Sequence, residues 1–267
     1  MSILGIDIGS STTKMVEFEN NKIKSKEILR TKFSNEELEK FIKINEIKNI
    51  ETIVFTGIGA SKIDISQYDV PVKVVDEFTA IAKGGLQLAQ REEAFVISVG
   101  TGTAFIEVAK ASARHMGGTG VGAGMLFNMC NKFLNIQSFD EIEELAKKGN
   151  IEKIDLRIGD VTDSEIPTLP KDMTLANFGK FENDSKKEDI VIGLINVIFE
   201  VIGMMAVFIS SKSNIKEAIL IGNITVLPGV RYVLDRIEKV QNIKFIVPEN
   251  TEFAVVTGAI QSIKQCL

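Results

Sequence analysis

The sequence predicts an α/β protein with two similar lobes, each a mixed sheet that starts with an antiparallel hairpin and carries flanking helices. Short apolar stretches alternate with longer amphipathic ones along the chain, which is typical of the α/β class. Residues 3–18 and 94–108 repeat one pattern: a buried strand, a turn of glycine and hydroxyl residues, and a second strand. We therefore expect an N-terminal lobe, 1–90, and a C-terminal lobe, 91–267, whose glycine-rich turns face each other across a cleft.

Length and composition exclude several classes of protein. The 267 residues are enough for two medium-sized domains with a buried core. With 31 Lys and Arg against 36 Asp and Glu, we expect no nucleic-acid partner, because that affinity depends on neutralising phosphates. His115, Cys130 and Cys266 lie far apart in sequence and do not provide the clustered ligands of a zinc or iron–sulfur site. The first residues lack a signal-peptide pattern, so we expect a cytoplasmic protein.

The first half begins with a predicted antiparallel meander, because polar turns at 9–11 and 20–21 separate three partly apolar stretches. Ser34 is a suitable N-cap for an amphipathic helix. Asp76 and Glu77 provide the acidic start of another helix. The predicted strands cover 3–8, 12–18, 22–26, 51–55 and 72–75, and the predicted helices cover 35–44 and 77–90.

The second half repeats the hairpin and then becomes richer in helices, with a less regular stretch at 167–170. Residues 190–209 are apolar enough to suggest a membrane span, but Asn196 and Glu200 interrupt them, and a charge at mid-span is costly in lipid. We expect a core or subunit-interface helix there, and no membrane. The predicted strands cover 94–99, 103–108, 218–221 and 244–247, and the predicted helices cover 125–134, 139–148, 188–211, 228–240 and 252–264.

Three glycine-containing segments have the composition of phosphate-binding loops, because backbone N–H groups beside glycine can approach an anion closely. In the first, GIDIGSSTTK at 5–14, Asp7 ends a strand where it can bind Mg²⁺ directly or through water, and Lys14 lies one strand later. A β-hairpin with a polar tip explains this segment equally well. The residues between them that can donate hydrogen bonds are Gly9, Ser10, Ser11, Thr12 and Thr13.

The other two glycine-containing segments lack an acidic residue equivalent to Asp7. The second, SVGTGT at 98–103, offers Thr101 and Gly102 as candidate binding residues. The third, at 117–124, has five glycines among eight residues directly before a helical pattern, so bare amides and the positive end of a helix can receive an anion. A flexible surface loop is the alternative for this segment. Three such segments in this order are more specific than any one of them.

These segments resemble those of the type II pantothenate kinases, members of the superfamily of actin, heat-shock protein 70 and sugar kinases. The adenine-nucleotide signatures of that family match 7–14, 99–103 and 221–223. Two further matches are more diagnostic: DEF at 76–78, where the family carries its catalytic glutamate, and TLANFG at 174–179, similar to a family motif near the substrate. The resemblance covers nearly the whole chain and implies the actin-like ATPase fold, related to ribonuclease H, with the nucleotide in the cleft.

The resemblance implies a homodimeric enzyme that uses ATP and Mg²⁺ to phosphorylate the primary hydroxyl of pantothenate, the first step of coenzyme A synthesis. Such a transfer needs a carboxylate that accepts the hydroxyl proton, and Glu77 is implied as this general base. An exposed acid at a helix N-terminus, favoured by the helix dipole, is the alternative for Glu77. Asp76 is expected to raise the pKa of Glu77 where the two side chains approach.

The resemblance also implies further binding residues. Asp7 is the implied metal ligand. In addition to the residues of the first two segments, the implied nucleotide-binding residues are Gly122, Ala123, Gly124, Met125, Leu126, Phe127, Phe139, Gly222 and Asn223. The implied substrate-binding residues are Arg114, His115, Gly117, Thr174 and Asn177.

Two positions depart from the family pattern. His115 occupies the place of the substrate-binding arginine, and Arg114 lies one residue earlier, where strand alternation points the side chain the other way. A structural or surface role for His115 fits the sequence as well as a ligand contact. Ala123 interrupts a triple glycine and adds a methyl group near the nucleotide. We expect these departures to affect substrate identity more than ATP binding.

Two other functions remain open. The activator ATPases of 2-hydroxyacyl-coenzyme-A dehydratases have an opening similar to 5–14, but they hold an iron–sulfur cluster with a pair of cysteines from each subunit. The spacing of Cys130 and Cys266 does not resemble that pattern. A non-catalytic nucleotide-binding regulator is suggested by the two departures and opposed by the retained Asp7, Lys14 and Glu77.

Overall fold

Two five-stranded sheets form the framework of the protein. The computed structural model describes residues 2–20, 22–30, 33–110, 112–164, 166 and 169–264. The first half contains β1 (Ser2–Ile8), β2 (Thr13–Glu19), β3 (Lys22–Leu29), α1 (Asn35–Ile44), β4 (Ile50–Thr56), β5 (Val72–Val74) and α2 (Glu77–Ala89). The second half contains β6 (Ala94–Val99), β7 (Thr103–Ala109), β8 (Ser112–Thr119), α3 (Ala123–Leu134), α4 (Phe139–Ala146), β9 (Leu156–Arg157), α5 (Ile158–Val161), β10 (Thr174–Ala176), α6 (Lys187–Ser210), β11 (Glu217–Ile221), α7 (Val230–Val240), β12 (Lys244–Ile246) and α8 (Ala254–Lys264).

The two sheets have the same topology. The first has the order β3-β2-β1-β4-β5, and the second has the matching order β8-β7-β6-β11-β12. In each, the first strand pairs antiparallel with the second and parallel with the fourth. The predicted duplication and the predicted mixed sheets are therefore present, and each sheet presents its hairpin turn at the same edge.

The halves exchange one helix each. Helix α2 packs against β6, β7, β8 and β11 of the second sheet, whereas α8 packs against β1, β2 and β4 of the first. Both helices share one hydrophobic core with the facing sides of the two sheets. Helix α1 covers the outer face of the first sheet, and α3, α4, α6 and α7 cover the outer face of the second. The division at residue 90 separates the strands of the two sheets, but not their helices.

Helices α2 and α8 cross at very short distance because both carry glycine at the contact. A Cβ atom built on Gly84 would lie 1.9 Å from the Ala254 carbonyl oxygen. One built on Gly258 would lie 2.0 Å from the Ala80 carbonyl oxygen and 2.5 Å from the Gly84 nitrogen. Backbone atoms cannot move aside cheaply, so the crossing fixes the distance between the helices, and with it that between the two sheets.

Helix α6 occupies the apolar stretch that raised the question of a membrane span. By length and composition it is able to cross a membrane, yet 61% of its most apolar window is buried inside the protein. Val191, Ile195 and Phe199 are fully buried against the second sheet and its helices. The structure thus places α6 in the core of the C-terminal lobe, as the polar interruptions indicated.

Several elements differ from the prediction. Strand β3 extends to Leu29, because its alternating pattern continues along β2 beyond residue 26. Strand β8 and the short elements between α4 and α6 were not predicted, since glycine-rich and polar segments hide them. Within the irregular stretch, positions 167 and 168 lie outside the described residues, as do Asn21 of the first meander and Cys266.

Replacing Gly258 with alanine tests the helix crossing. We expect Gly258→Ala to lower the free energy of unfolding by about 1–3 kcal/mol, the usual cost of overpacking a core. Urea denaturation measures the change. Gly120→Ala is the matched control, because a Cβ at Gly120 would meet no atom within 4 Å. A Gly258→Ala protein as stable as the control would contradict a close crossing.

Candidate active site

The two hairpin turns touch each other across the cleft. The hydroxyl oxygens of Ser10 and Ser11, in the turn after β1, each lie 2.8 Å from Oγ1 of Thr101, in the turn after β6. All three side chains are exposed or partly exposed. The structure therefore brings together the first two predicted phosphate loops, and their hydroxyl groups converge on one point.

Asp7 lies at the carboxyl end of β1, directly behind the first turn. Its side chain is nearly buried, and Lys14, its partner in the β1–β2 register, places Nζ 3.9 Å from Oδ2 of Asp7. Burial raises the pKa of Asp7, and the positive charge of Lys14 opposes that shift. Thr56 pairs with Asp7 from β4, and its buried Oγ1 has no hydrogen-bond partner among the described residues. One carboxylate and one unsatisfied hydroxyl thus lie side by side.

Glu77 is the first residue of α2 and is half-buried. Asp76 is the N-cap, and its Oδ1 accepts a hydrogen bond of 2.9 Å from the Thr79 backbone N–H. Burial raises the pKa of Glu77, the negative charges of Asp7 and Asp76 raise it further, and Lys14 lowers it. Glu77 therefore shares its electrostatic environment with Asp7 and Lys14.

The prediction that 117–124 forms one glycine loop is wrong. Gly117 and Gly118 belong to β8, because they pair with β7, and Ala123 and Gly124 form the first turn of α3. The Ala123 and Gly124 backbone N–H groups donate hydrogen bonds of 2.8 and 3.0 Å to the carbonyl oxygens of Gly100 and Thr101. These amides support the second turn, so they are not free to bind an anion.

Gly122 fits closely beneath the same turn. A Cβ atom at Gly122 would lie 2.8 Å from the Gly100 carbonyl oxygen and 3.0 Å from the Thr101 carbonyl oxygen. A glycine is needed for this contact. Ala123 adds its methyl group one residue later, at the start of α3, where it is half-buried.

Gly222 and Asn223 follow β11 and lie beside the second turn. A Cβ at Gly222 would lie 2.2 Å from the carbonyl oxygen of Val99, which directly precedes Gly100. Oδ1 of Asn223 is buried without a hydrogen-bond partner among the described residues. The structure thus brings the third nucleotide signature to the same end of the second sheet.

The aromatic candidates lie on α3 and at the first residue of α4. Phe127 and Phe139 stack with ring centroids 5.4 Å apart and planes within 10°. Met125 is half-buried nearby on α3, whereas Leu126 is fully buried in the core. A ligand can therefore not contact the Leu126 side chain, which corrects its inclusion among the binding residues.

The candidates on β8 divide between two directions. His115 stacks on Phe78, the residue that follows Glu77 on α2, with centroids 4.2 Å apart and planes within 13°. Arg114 instead forms an ion pair of 2.6 Å with Glu107 of β7 and stays exposed. Gly117 has φ +134°, at a bulge where β8 carries one extra residue, and open space lies above it. The one-residue shift thus separates Arg114 from His115, as strand alternation predicts.

Thr174 and Asn177 belong to a different polar cluster. Nδ2 of Asn196, on α6, donates a hydrogen bond of 3.0 Å to Oδ1 of Asn177 and one of 2.7 Å to Oδ2 of Asp155. Nη2 of Arg236 donates one of 2.8 Å to Oδ1 of Asn196, and Thr174 lies 3.4 Å from Asp155. Helix α6 covers the face of the second sheet opposite to α2. These two residues are therefore not brought together with Glu77 in one chain.

Comparisons with known proteins show the family. A family model described as Fumble matches residues 3–230, and the chain belongs to that family. Among curated relatives, a type II pantothenate kinase of Staphylococcus epidermidis is 28% identical over 96% of this chain and 98% of its own length. Another of the same name, from Staphylococcus aureus, is 25% identical over 82% of this chain and 84% of its own length. The resemblance noted in the sequence is confirmed.

Solved structures confirm the fold. An activator of 2-hydroxyisocaproyl-CoA dehydratase from Clostridium difficile, with bound ADPNP, aligns with a TM-score of 0.69 and 18% identity over 99% of this chain and 98% of that one. A glucokinase of the ROK family from Streptomyces griseus, in complex with glucose and AMPPNP, aligns with a TM-score of 0.62 and 14% identity over 99% and 100%. At these identities the likeness concerns the two-lobed architecture alone.

The residues present fit a magnesium–nucleotide complex. Within the described residues, no group of three or more His, Cys, Asp or Glu side chains offers a complete protein cage for a metal. A single acid such as Asp7, beside phosphate oxygens, suits Mg²⁺, which keeps several water ligands. Among the described residues, two buried side-chain oxygens are unsatisfied, on Thr56 beside Asp7 and on Asn223 at the third signature, and both need further hydrogen-bond partners.

Sequence reasoning missed two features of the site. The Phe78–His115 stack depends on the pairing of β8, which the glycine-rich pattern conceals. Thr56 directly follows the predicted strand 51–55, and its place in register with Asp7 follows from the parallel pairing of β1 with β4. Long-range pairing, rather than local pattern, determines both positions.

The influence of Asp76 on Glu77 is directly testable. We expect Asp76→Asn to lower the pKa of Glu77, because it removes a nearby negative charge and keeps the oxygen that caps α2. NMR titration of the Glu77 side-chain carboxyl measures the shift. Asp69→Asn is the control, since Asp69 is exposed, precedes β5 whereas α2 follows it, and is not one of the charges that shift the pKa of Glu77. An unchanged Glu77 pKa in Asp76→Asn would contradict the assigned charge interaction.

Proposed function

We propose that this protein is an ATP-dependent pantothenate kinase, which transfers the γ-phosphoryl group of ATP to the primary hydroxyl of pantothenate and forms 4′-phosphopantothenate. Family membership and the named relatives support the substrate class. The observation that carries the proposal is the position of Glu77. Its carboxyl group lies within the field of Asp7 and Lys14, behind two glycine-rich turns that meet across the cleft.

Phosphoryl transfer depends on positioning and charge neutralisation more than on covalent chemistry. We assign the phosphate oxygens to the backbone amides and hydroxyl groups of 9–13 and to Thr101 and Gly102. Gly222, Asn223 and Phe139 are assigned to the adenosine part. When bound, Mg²⁺ supplies positive charge at the phosphate oxygens, and Asp7 is its proposed ligand. Closure of the two halves over the substrate would exclude water from the transferred group, which limits hydrolysis.

Glu77 accepts the hydroxyl proton in this proposal. Burial and the charges of Asp7 and Asp76 raise the pKa of Glu77, and a carboxylate with a raised pKa is a stronger base than an ordinary one. Lys14 reduces the free-energy cost of ionising two carboxyl groups, because its positive charge opposes the rise in pKa of both Asp7 and Glu77. The rate is therefore expected to fall at acid pH, as Glu77 becomes protonated.

The substrate is assigned to the space between α2 and β8. His115 and Gly117 border this space, and the open volume above Gly117 leaves room for a ligand. Arg114 is already paired with Glu107, so we assign it a secondary role. We propose His115 as the hydrogen-bond donor that takes the place of the family's arginine.

We also propose a homodimer. Two side chains of α6 remain exposed although they are apolar: Phe208 is 68% exposed and Val201 is 37% exposed. A second copy covering this face would remove them from water. A contribution of Thr174 or Asn177 to substrate binding would have to come from such a copy. A monomeric mass in analytical ultracentrifugation at micromolar concentration would contradict the dimer.

Two alternatives make different predictions. For the dehydratase activator, Cys130 would have to ligate an iron–sulfur cluster, but it is buried in the core, and burial raises the pKa of its thiol to about 12. A regulator would bind nucleotide without substrate-stimulated release of ADP.

The proposed reaction consumes ATP, so we place the protein in the cytoplasm.

Substitution of the proposed base tests the reaction. We expect Glu77→Gln to lower turnover with pantothenate by about 100-fold or more, the usual scale for loss of general-base assistance, with nucleotide affinity changed only a few-fold. Coupled ADP release measures turnover. Glu92→Gln, in the exposed turn after α2, is the matched control. Unchanged turnover in Glu77→Gln would remove Glu77 from the mechanism.

A further inference from the structure

A second contact joins the lobes at the mouth of the cleft. Arg30 directly follows Leu29, which pairs with Thr13 at the end of the first turn, so Arg30 lies at the edge of the first sheet that carries this turn. Its guanidinium carbon lies 4.5 Å from the ring centroid of Phe139, the first residue of α4 in the other lobe. One cation therefore spans the cleft beside the phosphate loops.

Arg30 is exposed, and no carboxylate lies within ion-pair distance of it in the part of the chain that the structure describes. Other arginines are paired: Arg91 with Glu217, and Arg114 with Glu107. The Phe139 ring is half-buried, but the Arg30 guanidinium over it is exposed, so this cation–π contact is weak. A guanidinium–phosphate pair combines charge with two parallel hydrogen bonds. The Arg30 guanidinium is thus available to a stronger anionic partner.

The charges around the first turn make such a cation necessary. Asp7 and Asp76 place negative charge near Glu77, and the positive charge of Lys14 acts on both Asp7 and Glu77. A polyphosphate brings more negative charge to the same place. Mg²⁺ neutralises part of this charge, and a cation at the cleft mouth reduces the remaining repulsion.

The aromatic pair gives the contact a second consequence. Phe139 stacks with Phe127 and is also contacted by the Arg30 guanidinium. If the guanidinium moves from the ring to a phosphate, that face of Phe139 becomes free to stack with a nucleobase. The new guanidinium–phosphate pair and the uncovered face of Phe139 both stabilise the bound nucleotide.

We propose that Arg30 is a nucleotide-binding residue, whose guanidinium leaves Phe139 to pair with the polyphosphate of a nucleoside triphosphate. The inference rests on the proposed nucleotide site. In this proposal, Arg30 distinguishes a nucleoside triphosphate from a nucleoside that has the same base but no phosphate.

Calorimetric binding of a non-hydrolysable ATP analogue with Mg²⁺, and of adenosine, tests this role. We expect Arg30→Ala to weaken analogue binding by about 10-fold or more, because a charge-assisted hydrogen bond is lost. Adenosine binding is expected to stay within about twofold or to become tighter, because Phe139 is uncovered. Arg30→Lys, which keeps the charge, is expected to lose less than Arg30→Ala. Lys22→Ala removes one exposed charge at the other end of β3 and is expected to change neither affinity.

Unchanged analogue affinity in Arg30→Ala would overturn the inference, as would equal losses for the analogue and adenosine, which indicate a structural role. Thermal unfolding shows whether Arg30→Ala is folded. If it is not, the analogue affinity of Arg30→Lys is compared with that of Lys22→Ala. Weaker binding by Arg30→Lys supports the inference, and equal binding overturns it. A wild-type chain that binds no analogue would overturn the proposed function as well. The two failures are therefore distinguishable.

Discussion

The contact between the two hairpin turns is the constraint on which the site depends. Thr101 meets Ser10 and Ser11 only if the two sheets keep a fixed distance and direction. The glycine crossing of α2 and α8 provides that distance, because no side chain separates the two backbones. Since α2 carries Glu77 at its first residue, the same packing that holds the lobes together also sets the position of the proposed base.

Electrostatics explains why the acidic residues are placed behind the turns. Asp7 is buried and Glu77 is half-buried, and the negative charge of Asp7 makes ionisation of Glu77 more costly. Lys14 compensates part of this cost in the protein without ligand. Mg²⁺ at Asp7 would compensate more, so metal binding is expected to favour the ionised form of Glu77 and thus its role as a base.

Much of this arrangement could be predicted from the sequence. The duplicated hairpin, the strand-end position of Asp7 and the helix start at Glu77 follow from local pattern, and the structure has all three. The run of five glycines could not be divided by pattern alone. Its first part pairs as a strand with β7, and its last part enters α3, and both depend on contacts with residues elsewhere in the chain.

The same reason separates Thr174 and Asn177 from Glu77. A short motif indicates which residues act in a family, but not which face of the sheet they occupy, and here the network of Asp155, Asn196 and Arg236 holds them on the α6 side. Arg30 illustrates the opposite case. No motif includes it, and it is identified only by its contact with Phe139 across the cleft.

The central claim is that backbone groups of both turns hold the triphosphate while Glu77 faces the acceptor hydroxyl. A crystal structure with Mg²⁺, a non-hydrolysable ATP analogue and pantothenate tests it most directly. We expect phosphate oxygens between 9–13 and 100–102, and a Glu77 oxygen about 3 Å from the primary hydroxyl of pantothenate. A triphosphate bound elsewhere, or a hydroxyl beyond the reach of Glu77, would contradict it.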